Sequence, residues 1–162
     1  MKPIDPSARL WLAAATLAAG LVCAVVILIP LAEQSGWIVA SWLRLAFRPA
    51  CHQIPDRCLD LGAGPLPICA RCAGLYAGGF VGILITVVGG RRFQPRLTWL
   101  VAATIPSIID FVLGLVHLPT LSNWPRFGVA LIPGLLAGLL LADAVCKIAK
   151  PRSDESTARK IT

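Results

Sequence analysis

Charged side chains are scarce in this chain: they make up 14% of its 162 residues, and only eight of them are acidic. Hydrophobic residues account for 57%, so the sequence lacks the polar surface that a soluble globular domain needs. It also lacks a Ser/His/Asp set, a phosphate-cradling glycine loop and paired carboxylates. These absences favour a membrane protein with a binding or structural role over an enzyme.

Long uncharged runs predict transmembrane helices. A bilayer core of about 30 Å requires roughly 20 consecutive apolar residues. Four runs meet this requirement, at about residues 10–32, 73–90, 97–118 and 127–148. The first is longer than the apolar core of a cleaved signal peptide, so we expect it to be retained. We predict an all-α membrane protein with one four-helix domain, residues 1–150, and a disordered cytoplasmic tail, residues 151–162.

The distribution of basic residues predicts the orientation in the membrane. Ten of the fifteen Lys and Arg residues lie in the two terminal segments and the loop between the second and third spans. The positive-inside rule therefore places both termini in the cytoplasm and residues 33–72 outside, in a multi-pass protein of the inner membrane. Because this asymmetry accounts for the net charge of +7, the expected partner is the lipid bilayer rather than nucleic acid.

The outer loop, residues 33–72, has two parts of different character. Residues 37–48 interleave tryptophans and aliphatic side chains with two arginines, which is typical of an amphipathic helix lying at the membrane interface. Residues 62–67 are rich in glycine and proline and predict a turn-rich, irregular stretch.

Four of the six cysteines are concentrated in 22 residues of this loop, namely Cys51, Cys58, Cys69 and Cys72, together with His52. Two cysteines in a Cys-x-x-Cys pattern can bind one metal ion, and three cysteines with one histidine are an ordinary tetrahedral set for zinc. Iron and copper also accept these ligands. Cys58 offers a four-cysteine alternative, which is favoured slightly because adjacent residues such as Cys51 and His52 rarely ligate the same ion.

Two other interpretations of the cysteines stay open. Outside the cytoplasm the four thiols can form two disulfides that staple the loop of a non-catalytic accessory subunit in a larger membrane complex. Glycines spaced by four residues in the second and fourth spans would suit close helix packing in such a complex or in a homo-oligomer. Alternatively, Cys69 and Cys72 at the start of a helix form the redox centre of a thiol–disulfide oxidoreductase.

The third span carries ionisable residues inside an apolar run. Asp110 and His117 lie seven residues apart on one helical face, which they share with Ser107 and Gly114. A carboxylate at this depth is costly unless it is paired, so Asp110 is a candidate functional residue. Its expected partners are His117, Arg71 and Arg126. Tyr76, four residues after Cys72, is an expected neighbour of the cysteine site.

Several short motifs resemble those of a family of small prokaryotic integral membrane proteins of unknown function. They are Cys51-His52-Gln53-x-Pro55-x-Arg57, Leu66-Pro67-x-Cys69-Ala70-Arg71-Cys72-x-Gly74-x-Tyr76-x-Gly78, Pro106-x-x-x-Asp110 and Ser122-Asn123-x-x-Arg126-x-Gly128. The resemblance implies a four-helix membrane protein in which the Cys/His motif, Asp110, Asn123 and Arg126 form one site. Family members more often have serine at the position of Cys58, which favours the ligand set Cys51, His52, Cys69 and Cys72.

Overall fold

Four long apolar helices and one short helix build the structure, a computed structural model that describes residues 6–90, 95–116 and 121–149. The helices are α1 (Pro6–Gln34), α2 (Ile38–Ala46), α3 (Ala70–Gly89), α4 (Leu97–Leu115) and α5 (Asn123–Ile148). All except α2 are long and apolar enough to cross a membrane, which confirms the four predicted spans. α1, α3 and α5 begin three or four residues earlier than predicted. The predicted end of the third span at residue 118 and the tail, residues 151–162, lie outside the described residues.

Helices α3 and α5 form the central contact of the bundle. Glycines on both helices allow their backbones to touch: a Cβ atom at Gly78 would overlap the Leu131 carbonyl, and one at Gly138 would overlap the Gly79 carbonyl. Gly74, Gly82 and Gly134 make similar close approaches. The glycine faces predicted to admit a neighbouring helix therefore pack against each other within the chain.

Helices α1 and α4 lie at the periphery of this central pair. In α5 half of the membrane-length segment is buried inside the protein, whereas in α4 only 6% is. The one fully buried side chain that α4 contributes is the carboxylate of Asp110. In a bilayer, lipid covers the remaining apolar surface of α4, so the helix needs no further protein partner for solvation.

The second part of the loop between α1 and α3 folds into a small hairpin, where the sequence predicted an irregular stretch at residues 62–67. A 3-10 turn (Pro55–Arg57) leads into strand β1 (Cys58–Asp60), which pairs antiparallel with β2 (Pro65–Cys69). The Asp60 carboxylate accepts hydrogen bonds from the backbone N–H groups of Gly62, at 2.7 Å, and Gly64, at 3.2 Å. Both glycines have positive φ angles, so the same residues that predicted irregularity close a turn.

Arg44 of α2 fastens the loop to the bundle. Its guanidinium contacts the Glu33 carboxylate at the end of α1 at 2.6 and 2.8 Å and donates to the carbonyls of Pro65, at 2.9 Å, and Leu66, at 3.4 Å. Gln53 donates in turn to the Arg44 carbonyl at 2.6 Å. These contacts hold α1, α2 and β2 together at the end of the bundle where the cysteines lie.

Candidate metal centre

Three cysteines from two separate segments converge at the start of α3. The Sγ atoms of Cys51, Cys69 and Cys72 all lie within 4.8 Å of one another. Cys69 is the last residue of β2 and the residue that precedes α3, and Cys72 follows one turn later, so the strand-to-helix junction brings both thiols to one side. Cys51 reaches them from the segment after α2 and accepts a 3.2 Å hydrogen bond from the Cys69 backbone N–H.

The surroundings of the cluster favour a thiolate at Cys69. A hydrogen bond with the Cys72 thiol, reinforced by the backbone N–H groups of Cys72 and Arg71, lowers the pKa of the Cys69 thiol. Cys51 is 6% exposed, while Cys69 and Cys72 are half-buried. Three soft ligand atoms lie close together here, and this is a set that could hold a transition-metal ion.

Cys58 lies opposite Cys69 in the hairpin but does not join the cluster. Its thiol donates to the Ile54 carbonyl at 3.2 Å, and burial raises its pKa to about 11. It is therefore held as a neutral donor in the hairpin. The four-cysteine alternative would require this side chain to leave its present hydrogen bond.

His52 is also outside the group of converging ligand atoms, so its place in the predicted set of Cys51, His52, Cys69 and Cys72 stays a prediction. Its side chain is exposed although Cys51 is buried. The physical reason is that neighbouring residues of an irregular, extended segment direct their side chains to different sides. Gln53, which follows with a positive φ of 52° and is anchored to Arg44, fixes that arrangement.

A buried ionic cluster lies close to the three cysteines. The Asp110 carboxylate of α4 is contacted by the guanidinium groups of Arg71 and Arg126, the latter at 3.1 Å from Nε to Oδ2. Its other oxygen accepts the Leu121 backbone N–H at 2.8 Å. Two of the three expected partners thus surround Asp110, while His117, the third, lies outside the described residues. Arg71 connects the two groups, since it sits between Cys69 and Cys72 in the chain.

Asn123 and Tyr76 occupy different surroundings. The Asn123 side chain donates to the carbonyls of Asp56, at 3.0 Å, and Cys58, at 2.9 Å, and so attaches the start of α5 to the hairpin. Tyr76 lines a small apolar cavity that Trp124 also lines, whereas Cys72 lines a different cavity beside the other cysteines. The two residues lie four positions apart on α3, and a role for Tyr76 beside the cysteine site stays a prediction.

A cavity of about 450 Å³ opens beside the cysteines. Its wall includes all three clustered cysteines, His52, Arg57 and Arg71, and on the other side Arg126, Phe111 and Leu115. We refer to it as the cysteine cavity. Arg57, Arg44 and the Leu121 amide were not predicted as site residues. Of these, Arg57 carried a signal as part of the motif that begins at Cys51, whereas no motif pointed to Arg44 or Leu121.

The fold and these residues define a multi-pass membrane protein with a thiol cluster at one end of a four-helix bundle. Cys51, Cys58, Cys69 and Cys72 are free thiols in the described part of the chain.

The chain belongs to the family described as "Predicted membrane protein (DUF2085)", whose model matches residues 51–161. It is 33% identical over 91 residues to the uncharacterized protein MJ1492 of Methanocaldococcus jannaschii, covering 54% of this chain and 56% of that protein. It is 29% identical over 104 residues to an uncharacterized protein of Methanothermobacter thermautotrophicus, covering 64% of this chain and 92% of the relative. The chain thus spans little more than half the length of the first of these relatives. No solved structure matches it.

Proposed function

We propose that this protein binds a transition-metal ion, zinc in the first place, through Cys51, Cys69 and Cys72, in a structural or metal-handling role. The observation that carries the proposal is the convergence of the three sulfur atoms within 4.8 Å. Sulfur ligands of one tetrahedral ion with bonds of about 2.3 Å lie roughly 3.8 Å apart, so only small side-chain adjustments are needed. Iron and copper are the alternative ions, because both accept thiolates.

Cys51, Cys69 and Cys72 all line the cysteine cavity, so we expect the fourth ligand of the ion to come from it. Three protein ligands with an open fourth position are the arrangement that lets zinc exchange a ligand, whereas closed four-ligand sites are structural. His52 lines the same cavity and is the candidate fourth protein ligand. If His52 completes the site, the role is structural. If water or another ligand occupies the fourth position, metal handling is favoured.

The orientation belongs to the same proposal. The charge asymmetry of the sequence supports cytoplasmic termini and a cysteine site at the extracytoplasmic end. Trp37, Ile38 and Trp42 are exposed on or beside α2, which supports an interfacial position for that helix. Cysteine labelling with a membrane-impermeant reagent in intact cells distinguishes the two orientations.

A metal and thiol count on the purified protein tests the proposal. We expect one metal ion per chain by elemental analysis, and loss of that ion in Cys69→Ser and Cys51→Ser. Cys23→Ser is the matched control, because Cys23 lies in α1, away from the cluster. Cys58→Ser distinguishes the two possible ligand sets, because a three-cysteine site keeps its ion in this variant and a four-cysteine site loses it. Metal-free protein with both thiols of Cys69 and Cys72 oxidised would contradict the proposal.

A second candidate, thiol–disulfide exchange, is favoured by one observation. Cys69 immediately precedes α3, and its lowered pKa is the property that attacking thiols share. An oxidoreductase would form a mixed disulfide through one of the two cysteines with its partner. Trapping such a species with Cys72→Ser or Cys69→Ser, in protein that carries no metal, would favour this function over metal binding.

A further inference from the structure

Among the described residues, the side chains that line the cysteine cavity carry more positive than negative charge. Arg57, Arg71 and Arg126 line it, and the Asp110 carboxylate contacts Arg71 and Arg126 but not Arg57. These three guanidinium groups and one carboxylate together carry two positive charges. If the three cysteines bind a divalent ion as thiolates, their combined charge of −1 still leaves one. Uncompensated charge at a membrane-embedded site is costly, so the cavity favours an anion.

Two of these arginines have hydrogen-bonding capacity that the described residues do not use. The Arg57 side chain is half-buried and makes no hydrogen bond or ion pair within the described part of the chain. The Nε atom of Arg71 is buried without a hydrogen-bond partner there. Guanidinium groups bind phosphate oxygens through short, charge-assisted hydrogen bonds, so both groups are suited to a phosphate.

A second cavity, of about 460 Å³, lies directly next to the first and is mostly apolar. We refer to it as the α3–α4 cleft. Its wall includes Arg71 and Leu75 of α3, Ser107, Ile108 and Phe111 of α4, and Pro133 of α5. Arg71 and Phe111 line both cavities, and the guanidinium carbon of Arg71 lies 5.9 Å from the centre of the Phe111 ring. A cationic cavity therefore adjoins an apolar cleft across one shared wall.

The cleft is accessible from the lipid phase. Ile108 is 56% exposed and Phe111 50%, on a helix that the rest of the bundle hardly covers. The Ser107 hydroxyl borders the cleft and is buried with no hydrogen-bond partner among the described residues. Ser107 lies about 12 Å below the end of α4, at 1.5 Å per residue. A polar acceptor at this depth, attached to an apolar chain, would satisfy that hydroxyl.

We propose that the two cavities together bind one anionic phospholipid, with its phosphate between Arg57 and Arg71 and an acyl chain in the α3–α4 cleft. The ester oxygens of the lipid then lie between its phosphate and its chain, where the Ser107 hydroxyl can donate to them. Both cavities have volumes typical of ligand sites. The lipid enters from the leaflet on the cysteine side, and its phosphate closes the cysteine cavity above the thiols. The inference goes beyond the proposed metal function and does not require it.

Native mass spectrometry of the full chain in mild detergent tests the proposal. The protein is equilibrated with equal amounts of phosphatidylglycerol and phosphatidylcholine that carry the same acyl chains. We expect one phosphatidylglycerol to be retained per chain, and Arg57→Gln to weaken its retention at least about tenfold, because the variant loses a charge-assisted hydrogen bond to the phosphate. Arg48→Gln is the matched control, because Arg48 is exposed in the same loop and lines neither cavity.

A second pair of variants tests the acyl-chain position. Ile108→Trp fills the α3–α4 cleft and should reduce retention of phosphatidylglycerol, whereas Ile109→Trp should not, because Ile109 is equally exposed but does not line the cleft. Equal retention of the two lipids, or equal effects of Arg57→Gln and Arg48→Gln, would overturn the proposal. If inorganic phosphate displaces the lipid and Ile108→Trp has no effect on retention, the cysteine cavity binds a free anion and the lipid proposal is wrong.

The metal content is measured on the same samples. Metal-free protein that still retains phosphatidylglycerol would contradict the proposed function and support the lipid site. Protein that holds metal but shows no lipid preference would support the proposed metal function and contradict the lipid site.

Discussion

Replacing Asp110 by asparagine should destabilise the protein strongly, because this carboxylate contacts two arginines in a buried position. The side chains of Asp110 and Arg126 are 4% and 8% exposed, and that of Arg71 is 20% exposed. Removing one partner of a buried ion pair costs about 3–5 kcal/mol, since the other charge stays buried without compensation.

The assay is equilibrium unfolding in mixed micelles, followed by circular dichroism. We expect Asp110→Asn to lower the free energy of unfolding by about 3–5 kcal/mol. Lys147→Gln, the control, breaks an ion pair in which Lys147 is 68% exposed and should cost less than about 1 kcal/mol. Arg126→Gln combined with Asp110→Asn should cost less than the two separate losses together. If Asp110→Asn lowers the free energy of unfolding by less than about 1 kcal/mol, the carboxylate does not stabilise the buried arginines. Strict additivity of the Asp110→Asn and Arg126→Gln losses would show that the two side chains are not coupled.

Three further predictions follow from the packing and the loop. Gly78→Ala should destabilise the bundle by about 1–3 kcal/mol, because its Cβ would overlap a carbonyl of α5. Gly89→Ala should have no such effect, because a Cβ at that position meets nothing within 4 Å. Equal unfolding curves for the two variants would contradict this prediction. In metal-free protein at pH 8, iodoacetamide should modify Cys69 long before Cys58, whose pKa of about 11 leaves about one thiolate in a thousand; equal rates by peptide mass spectrometry would contradict this. Arg44→Met should lower the free energy of unfolding by about 1–2 kcal/mol and speed proteolysis of residues 33–72, because it removes the contacts with Glu33 and Pro65. An unchanged cleavage rate would show that other contacts hold this segment to the bundle.

The spans could be predicted from sequence because a bilayer constrains length and composition so strongly. Residues 10–32 and 97–118 contain runs that few soluble folds would contain, and helices α1 and α4 follow them closely. The spacing of Gly74, Gly78 and Gly82 also predicted a helix contact, since only small residues let two backbones touch. In each case one local pattern carries the information.

The hairpin was not predictable in the same way. Gly62, Gly64 and the prolines of residues 62–67 indicate a turn, but a turn in isolation does not show whether its flanks pair. Pairing of β1 with β2 depends on the carboxylate of Asp60, on Asn123 from the distant start of α5 and on Arg44. Such long-range hydrogen bonds leave no periodic trace in the sequence.

The candidate site was predictable in its residue types and not in its geometry. Clustered thiols in an apolar chain identified Cys51, Cys69 and Cys72, but spacing alone could not exclude His52 or Cys58 from the converging atoms. Their orientation is decided by local contacts, the hydrogen bond from Cys58 to the Ile54 carbonyl and the backbone turn at Gln53. Whether His52 serves as the fourth ligand stays a prediction.

X-ray absorption at the metal edge of the purified protein measures the proposed ligand set itself. We expect a bound ion whose first shell contains three sulfur atoms at about 2.3 Å and one lighter atom at about 2.0–2.1 Å. Cys58→Ser should leave this shell unchanged, and Cys69→Ser should remove the ion. A shell of nitrogen and oxygen alone, or protein without a bound metal, would contradict metal binding by the three cysteines.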